Sequence, residues 1–323
     1  MNTIPMTLIG VALLLLAWRL WFANSLRWLT RFAAFGMLAF ALPITGLNSY
    51  RTAMTYRPEP AEITREVLFD GITYTRDVRS APDPLVIHVV EIDLTHPDIS
   101  LAVTPPDDTL EPPYETVART TSGYLRESGA QLAINAGFFH AEGFFSSSSP
   151  SVGDPVDVIG LTAHEGNVFS EHRRGFRVVY LSADNRLQFD TPPENGIYNA
   201  LSGFYWFLRD GNAWIPYRGT NTLFYQRAPR TVIATDITGE RLLLFVVDGR
   251  QPGYSVGVTM PEMTEIAASY GAHNALNMDG GGSSTLAVDD GDPRLLNSPV
   301  HRNLPGLERP VGNHLVVYAG DSD

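Results

Sequence analysis

The sequence predicts an α+β fold: a single domain of mixed or antiparallel sheet with a few packed helices, preceded by an N-terminal membrane helical hairpin. Three observations predict it. Residues 1–48 carry no acid and only three basic residues, Arg19, Arg27 and Arg31, within an otherwise apolar run. Beyond that run, short apolar and β-branched segments recur between turn dipeptides such as Asp70-Gly71 and Thr238-Gly239. Only two later segments have a helical period, and no clear break interrupts the last roughly 260 residues.

Residues 4–22 and 32–47 are the two apolar stretches. A spanning helix needs about 20 apolar residues, and arginines that snorkel lengthen a marginal one. Trp18, Trp21 and Trp28 stand where an interfacial belt falls. Arg19, Arg27 and Arg31 flank the short connection, so the positive-inside rule turns it to the cytoplasm and places the acidic remainder outside. The reading is a membrane anchor over 1–48, a tether over 49–60 and a folded domain over 61–323, held at a bacterial inner membrane and facing the periplasm or exterior. A single signal-type segment over 32–47 is the rival, and it also exports the domain.

Within the domain, strands are expected at Ile63–Phe69, Ile72–Val78, Leu85–Leu94 and Ile99–Val103. Glu115–Ser128 changes to a helical period, with Val117, Thr121, Tyr124 and Leu125 on one face and Gly129 as its stop. Further strands follow at Leu132–Ile134, Phe176–Leu181, Arg186–Phe189, Ala200–Leu208, Thr231–Asp236 and Arg241–Val247. Thr259 and Glu262 have capping-box spacing and open a helix to Tyr270. Asn274–Met278 and His314–Ala319 are the last strands, with 289–313 read as loop.

Composition removes several chemistries. The 323 residues include no cysteine, which excludes disulfides, thiolate metal sites and a thiol nucleophile. All 23 basic residues are arginine, so Schiff-base lysine catalysis and a Walker phosphate loop are also excluded. A net charge of −12 argues against nucleic acid as a partner. The eight histidines show no zinc spacing.

The most informative segment is Asn277-Met278-Asp279-Gly280-Gly281-Gly282-Ser283-Ser284-Thr285. Three glycines between apolar strands are costly unless something must approach the backbone closely. Their amides can form an anion nest, with the Asp279 carboxylate and the Ser283 and Ser284 hydroxyls at its rim. Asp248-Gly249-Arg250 ends a strongly apolar strand and adds a second carboxylate and a planar guanidinium suited to phosphate. Arg227 and Arg230 stand at the start of another strand. Asn135 ends a buried one, where an amide must be hydrogen-bonded or serve a ligand. Phe138-Phe139 after it reads as core.

These stretches resemble the phosphodiester glycosidase family. The likeness lies in Arg230-Thr231, Leu242 to Gly257, Pro261 to Tyr270 and Asn274 to Thr285. Ala133 to Phe139, Leu201-Ser202-Gly203 and Glu308-Arg309-Pro310-Val311 also match, so about residues 115–319 are covered. Two departures stand out: Ala136 replaces the first glycine of an Asn-Gly-Gly-Phe-Phe motif, and Phe204-Tyr205-Trp206 is bulkier than the usual stretch. The resemblance implies a hydrolase that cleaves a glycosyl-1-phosphodiester at the sugar–phosphate linkage, on exported or cell-envelope glycans such as exopolysaccharide. Asp279 would then be base or nucleophile and Asp248 its partner carboxylate. Arg230 and Arg250 would clamp the phosphate with Ser283 and the amides of Gly280, Gly281 and Gly282. Asn135 and Ser284 would bind sugar hydroxyls. No cofactor is required, although carboxylate and amide oxygens could hold calcium or magnesium. The alternatives are a non-catalytic, membrane-tethered glycan-binding module for polysaccharide assembly and a metal-dependent phosphodiesterase that cuts P–O.

Overall fold

The computed structural model describes residues 4–21, 27–141, 149–214 and 222–320. The chain divides into two compact units, Met1–Arg57 and Pro58–Asp323.

The first unit holds the helices Ile4–Trp21 and Arg27–Thr55. The segment Arg31–Thr55 is long and apolar enough to cross a membrane; the first helix contributes a shorter apolar stretch, Gly10–Arg19. A signal sequence has the same character. The connection through Asn24, Ser25 and Leu26, on which the hairpin depends, lies outside the described residues. Contrary to a tether beginning at residue 49, the second helix runs on to Thr55. Asn48, Ser49 and Tyr50 are polar but not helix-breaking, and no proline follows Pro43 until Pro58.

The second unit is built on an eight-stranded sheet. Its order is Glu62–Phe69, Ile72–Arg79, Leu85–Asp93, Arg241–Val247, Arg230–Thr235, Asn274–Asn277, Trp206–Arg209 and Asn212–Ala213, paired antiparallel throughout. Arg241–Val247 shows why this sheet is central. Leu242, Leu244 and Val246 enter one core, whereas Leu243, Phe245 and Val247 enter another. Such a strand is apolar at every position because both its faces are covered.

The first core is closed by two five-stranded sheets. One runs Pro293–Leu295, Leu286–Asp289, Leu132–Asn135, His314–Tyr318 and Ser100–Val103; the other runs Asn167–Ser170, Thr162–His164, Asn199–Phe204, Phe176–Leu181 and Leu187–Phe189. The second core is closed by the helix Met260–Ser269, through Met263, Ile266 and Ala267. That helix has the expected capping box, Thr259 with Glu262, and Gly271 turns the chain out at φ 83°.

Three expectations shift. The helix expected over 115–128 begins only at Thr121, because Thr120 is an extended N-cap whose hydroxyl accepts from Gly123 N, and Thr116–Val117 pair as a strand. The apolar run Ala200–Leu208 is not one strand. It breaks at Tyr205, which takes φ 66°, so Asn199–Phe204 joins one sheet and Trp206–Arg209 another. Residues 289–313, read as loop, contain Pro293–Leu295 and the small pair Val300–His301 with Leu304–Pro305. Residues 143–154, rich in serine and glycine and expected as a loop, lie in part outside the described residues.

Candidate active site

The strands Arg230–Thr235 and Asn274–Asn277 pair directly, Val232 opposite Asn277. This register sets the start of one beside the glycine-rich loop that leaves the other. A cavity of about 330 Å³ opens there, lined by Phe138, Phe204, Phe224, Gln226, Arg230, Arg250, Asn277, Asp279, Gly280 and Gly281, among others. Its lining combines the rings of Phe138, Phe204 and Phe224 with the cations Arg227, Arg230 and Arg250.

Asp279 is the only acid among the described residues that line the cavity. The residue is half-buried in the cavity wall. Burial pushes its pKa up to about 6, against the opposing pull of Ser283, Arg309 and the Gly280 amide. The peptide on either side is pinned: Asp279 N donates to Ala136 O at 2.9 Å, and Asn135 Nδ2 donates to Asp279 O at 2.5 Å. Asn135 Oδ1 in turn accepts from Thr231 Oγ1 at 2.9 Å and Thr285 N at 3.0 Å. Asn135 is therefore fully buried and committed to the loop; it does not line the cavity as a sugar ligand would.

Gly281 makes room for a guanidinium, and the amides of Gly280 and Gly281 have protein partners. A side chain at Gly281, which has φ 63°, would place its Cβ 2.8 Å from Arg250 Nη2. The Gly281 amide is already spent on Pro229 O at 2.9 Å, and the Gly280 amide faces the Asp279 carboxyl. A Cβ at Gly280 would lie 3.1 Å from Pro229 O, a tight contact that the neighbouring backbone would have to relieve.

Three arginines converge on the loop. Arg230 is pushed down to about 10 by burial and by Arg250, and Arg250 is lowered by burial and by Arg309. All stay charged near neutrality, and their mutual repulsion marks a place for an anion. Arg230 is held by Val258 O at 3.2 Å and Gln226 O at 2.9 Å. Arg309 donates to Ser283 Oγ at 3.1 Å and lies 4.9 Å from the centre of the Phe139 ring. Arg227 also lines the cavity but pairs with Asp83 and Glu262.

Asp248 does not face Asp279 across the cavity. It is buried, and protein donors occupy both its oxygens: His88 Nε2 at 3.0 Å, Tyr254 Oη at 3.2 Å, Asn297 Nδ2 at 3.0 Å and Ser298 N at 2.9 Å. Burial alone would raise its pKa, but His88 and these hydrogen bonds outweigh that and hold the carboxyl below its usual range. Ser284 is likewise inside the loop, 1% exposed, rather than on the cavity wall.

Three groups at the site escape sequence reasoning alone. Arg309 was visible only within a matching motif. Asn277 lines the cavity, donates from Nδ2 to Phe204 O at 3.3 Å and leaves a buried Oδ1 with no hydrogen-bond partner among the described residues. Phe138, expected in the core, lines the cavity with Phe204, their ring centres 6.1 Å apart. Of the bulky triplet, Phe204 shapes the cavity while Trp206 turns into the core and donates to Asp190 at 2.6 Å. Among the described residues no three histidine or carboxylate side chains gather as a metal site.

Comparison with known proteins gives the same family. Residues 128–318 match the model of the phosphodiester glycosidase family. The N-acetylglucosamine-1-phosphodiester alpha-N-acetylglucosaminidase of Mus musculus is 30% identical over 179 residues, 50% of this chain and 32% of that protein. An uncharacterised prophage-derived protein of Bacillus subtilis is 26% identical over 211 residues, 64% of this chain and 31% of that protein. The chain thus spans about a third of the length of the curated relatives it matches. In fold it is similar to the catalytic domain of the zebrafish N-acetylglucosamine-1-phosphodiester alpha-N-acetylglucosaminidase, with a TM-score of 0.56 at 18% identity, covering 82% of this chain and 86% of that one. With more than half its length matched by the family model, the chain belongs to the phosphodiester glycosidase family.

Proposed function

We propose that this chain hydrolyses a glycosyl-1-phosphodiester at the bond between the anomeric carbon and the phosphate oxygen. One observation carries the reading: Asp279, a carboxyl with a pKa near 6, shares a cavity with an arginine cluster and an aromatic wall. The cations hold the phosphate, and the rings of Phe138, Phe204 and Phe224 take the apolar face of a sugar. Asn277 Oδ1 accepts from a sugar hydroxyl or amide, since a buried acceptor is otherwise costly.

The chemistry needs only one carboxylate. Water attacks the anomeric carbon while Asp279 takes its proton as general base. The bond from that carbon to the phosphate oxygen breaks, and the phosphomonoester leaves with the electron pair, its charge held by Arg230, Arg250 and Arg309. A phosphate leaving group requires no acid, which suits a cavity whose described lining offers no second carboxylate. Single displacement inverts the anomeric centre. The substrate belongs to exported or cell-envelope glycans, and the N-terminal helices anchor the domain on the outer side of a bacterial inner membrane. An apolar, acid-free N-terminus with arginines near its centre supports that placement.

The test uses the full chain in detergent with a panel of glycosyl-1-phosphodiesters, with and without chelator. Asp279→Asn is expected to lower kcat on the order of a thousandfold. Unchanged turnover in that variant would sink the assignment. With labelled water, the oxygen label should enter the sugar; label in the phosphate would mean P–O cleavage instead.

A further inference from the structure

Asp248 is a charged group at the heart of the family-like segment, yet all its hydrogen bonds go to protein. We infer that Asp248 is a positioning residue: with Asn297 and Ser298 it locks the Arg250 turn to the glycine-rich loop that carries Asp279. The inference rests on the function proposed above for its phosphate-binding and turnover measurements, and stands without it on hydrogen exchange.

The links are explicit. Asn297 Nδ2 donates both to Asp248 Oδ1 at 3.0 Å and to Ser284 O at 3.1 Å, while Asn297 Oδ1 accepts from Leu286 N at 2.8 Å. One amide therefore ties the end of the strand Arg241–Val247 to both sides of the loop's exit. Ser298 N donates to the same carboxylate, Ser298 Oγ donates to Gln251 Oε1 at 3.1 Å, and Gln251 Nε2 donates to Ser298 O at 3.0 Å. Asn297 and Ser298 thus grip the residues on both sides of Gly249-Arg250. The grip has work to do, because Arg250 is held at φ 60°, a left-handed conformation that a non-glycine residue keeps only when its surroundings fix it. Gly249 lets this turn close against the neighbouring chain: a Cβ there would lie 2.7 Å from Pro229 N.

The carboxylate is oriented from behind. Tyr74 Oη lies 2.7 Å from His88 Nδ1, and His88 Nε2 lies 3.0 Å from Asp248 Oδ2. Because a carboxylate only accepts, the hydrogen between His88 Nε2 and Asp248 Oδ2 belongs to the imidazole. Asp248→Asn can be accommodated by reversing this chain: the new amide donates to Nε2, and Nδ1–H donates to Tyr74. The variant keeps its packing and loses the fixed anion that organises Asn297 and Ser298.

Three measurements on the full chain in detergent test the inference. Amide hydrogen exchange of Asp248→Asn should quicken at 249–251 and 280–285 and stay unchanged in the helix Met260–Ser269. Asn297→Ala, which removes only the bridge, should quicken exchange at 280–285. Inorganic phosphate, the probe ligand, should bind Asp248→Asn on the order of a hundredfold more weakly. In turnover, the loss should fall on KM more than on kcat, and adding Asp248→Asn to Arg250→Ala should cost little beyond Arg250→Ala itself. Unchanged exchange in both variants overturns the inference. So does a collapse of kcat with phosphate binding intact, which would make Asp248 an acid–base group. Phosphate binding without turnover in the wild type would fail the hydrolase reading and leave the positioning role standing on exchange and binding.

Discussion

Asp279 shows what a single side chain contributes and how its surroundings set it. In the proposed role of general base it works only when ionised. With a pKa near 6, kcat/KM is expected to fall about tenfold per pH unit below 6 and to level off above it, before other groups titrate. A pH–rate profile that stays flat from 5 to 7.5 would deny Asp279 that role. Sequence reasoning reached Asp279, Arg230 and Arg250, because strand ends and glycines signal where a backbone makes room. It also set Asn135 and Asp248 beside the ligand, whereas the structure places both off the cavity wall among protein partners, since pattern alone cannot say which of the two a buried polar group faces. For both, the partners are far away in sequence: Asn135 bonds Thr231 and Thr285, and Asp248 bonds His88 and Asn297.

At the level of elements, the legible parts were those with local causes. The hairpin at Asp70-Gly71, the strand Arg241–Val247 and the helix Met260–Ser269 each carry their own turn, apolar run or cap. That cap has a measurable worth. Thr259 accepts from Glu262 N, and Glu262 returns a bond to Thr259 N at 2.8 Å. Thr259→Ala should cost about 1 kcal/mol of stability, read as a lower midpoint in denaturant with little change in slope. The helix packs on the second core, but its capped end meets the cavity rim, where Glu262 pairs with Arg227 and Val258 O accepts from Arg230, so a modest loss of turnover should accompany the loss of stability. Illegible elements were those whose bounds depend on distant pairing. Thr116–Val117 is a strand because Pro155–Val158 lies beside it, despite a helical period in the sequence.

The whole molecule adds a sensitivity that no single element has. His314, on the strand His314–Tyr318, is fully buried and stacks on Tyr124 at 4.7 Å. Burial, reinforced by Arg119, pushes its pKa down to about 3, well below the ordinary value near 6.5. The unfolded chain takes up this proton from about pH 6.5 downward and the folded chain only near pH 3. Its neutral burial therefore favours folding above 6.5, and that advantage is lost at up to about 1.4 kcal/mol per pH unit as pH falls toward 3. Asp279, with its raised pKa, works the other way between its folded and unfolded values, so the two must be separated. Thermal midpoints of wild type and His314→Gln from pH 7 to 4.5 do so: the gap between them should shrink on acidification, and a constant gap would refute the assignment. The break at Tyr205 has a consequence of its own. Phe204 ends a strand of one sheet, whereas Asp279 follows a strand of another, and Asn277 joins the two at the cavity, donating from Nδ2 to Phe204 O and from its backbone N to Tyr205 O, both at 3.3 Å. A change of ring at Phe204 is therefore expected to alter what the cavity admits and to leave in place the strands that carry Arg230 and lead to Asp279.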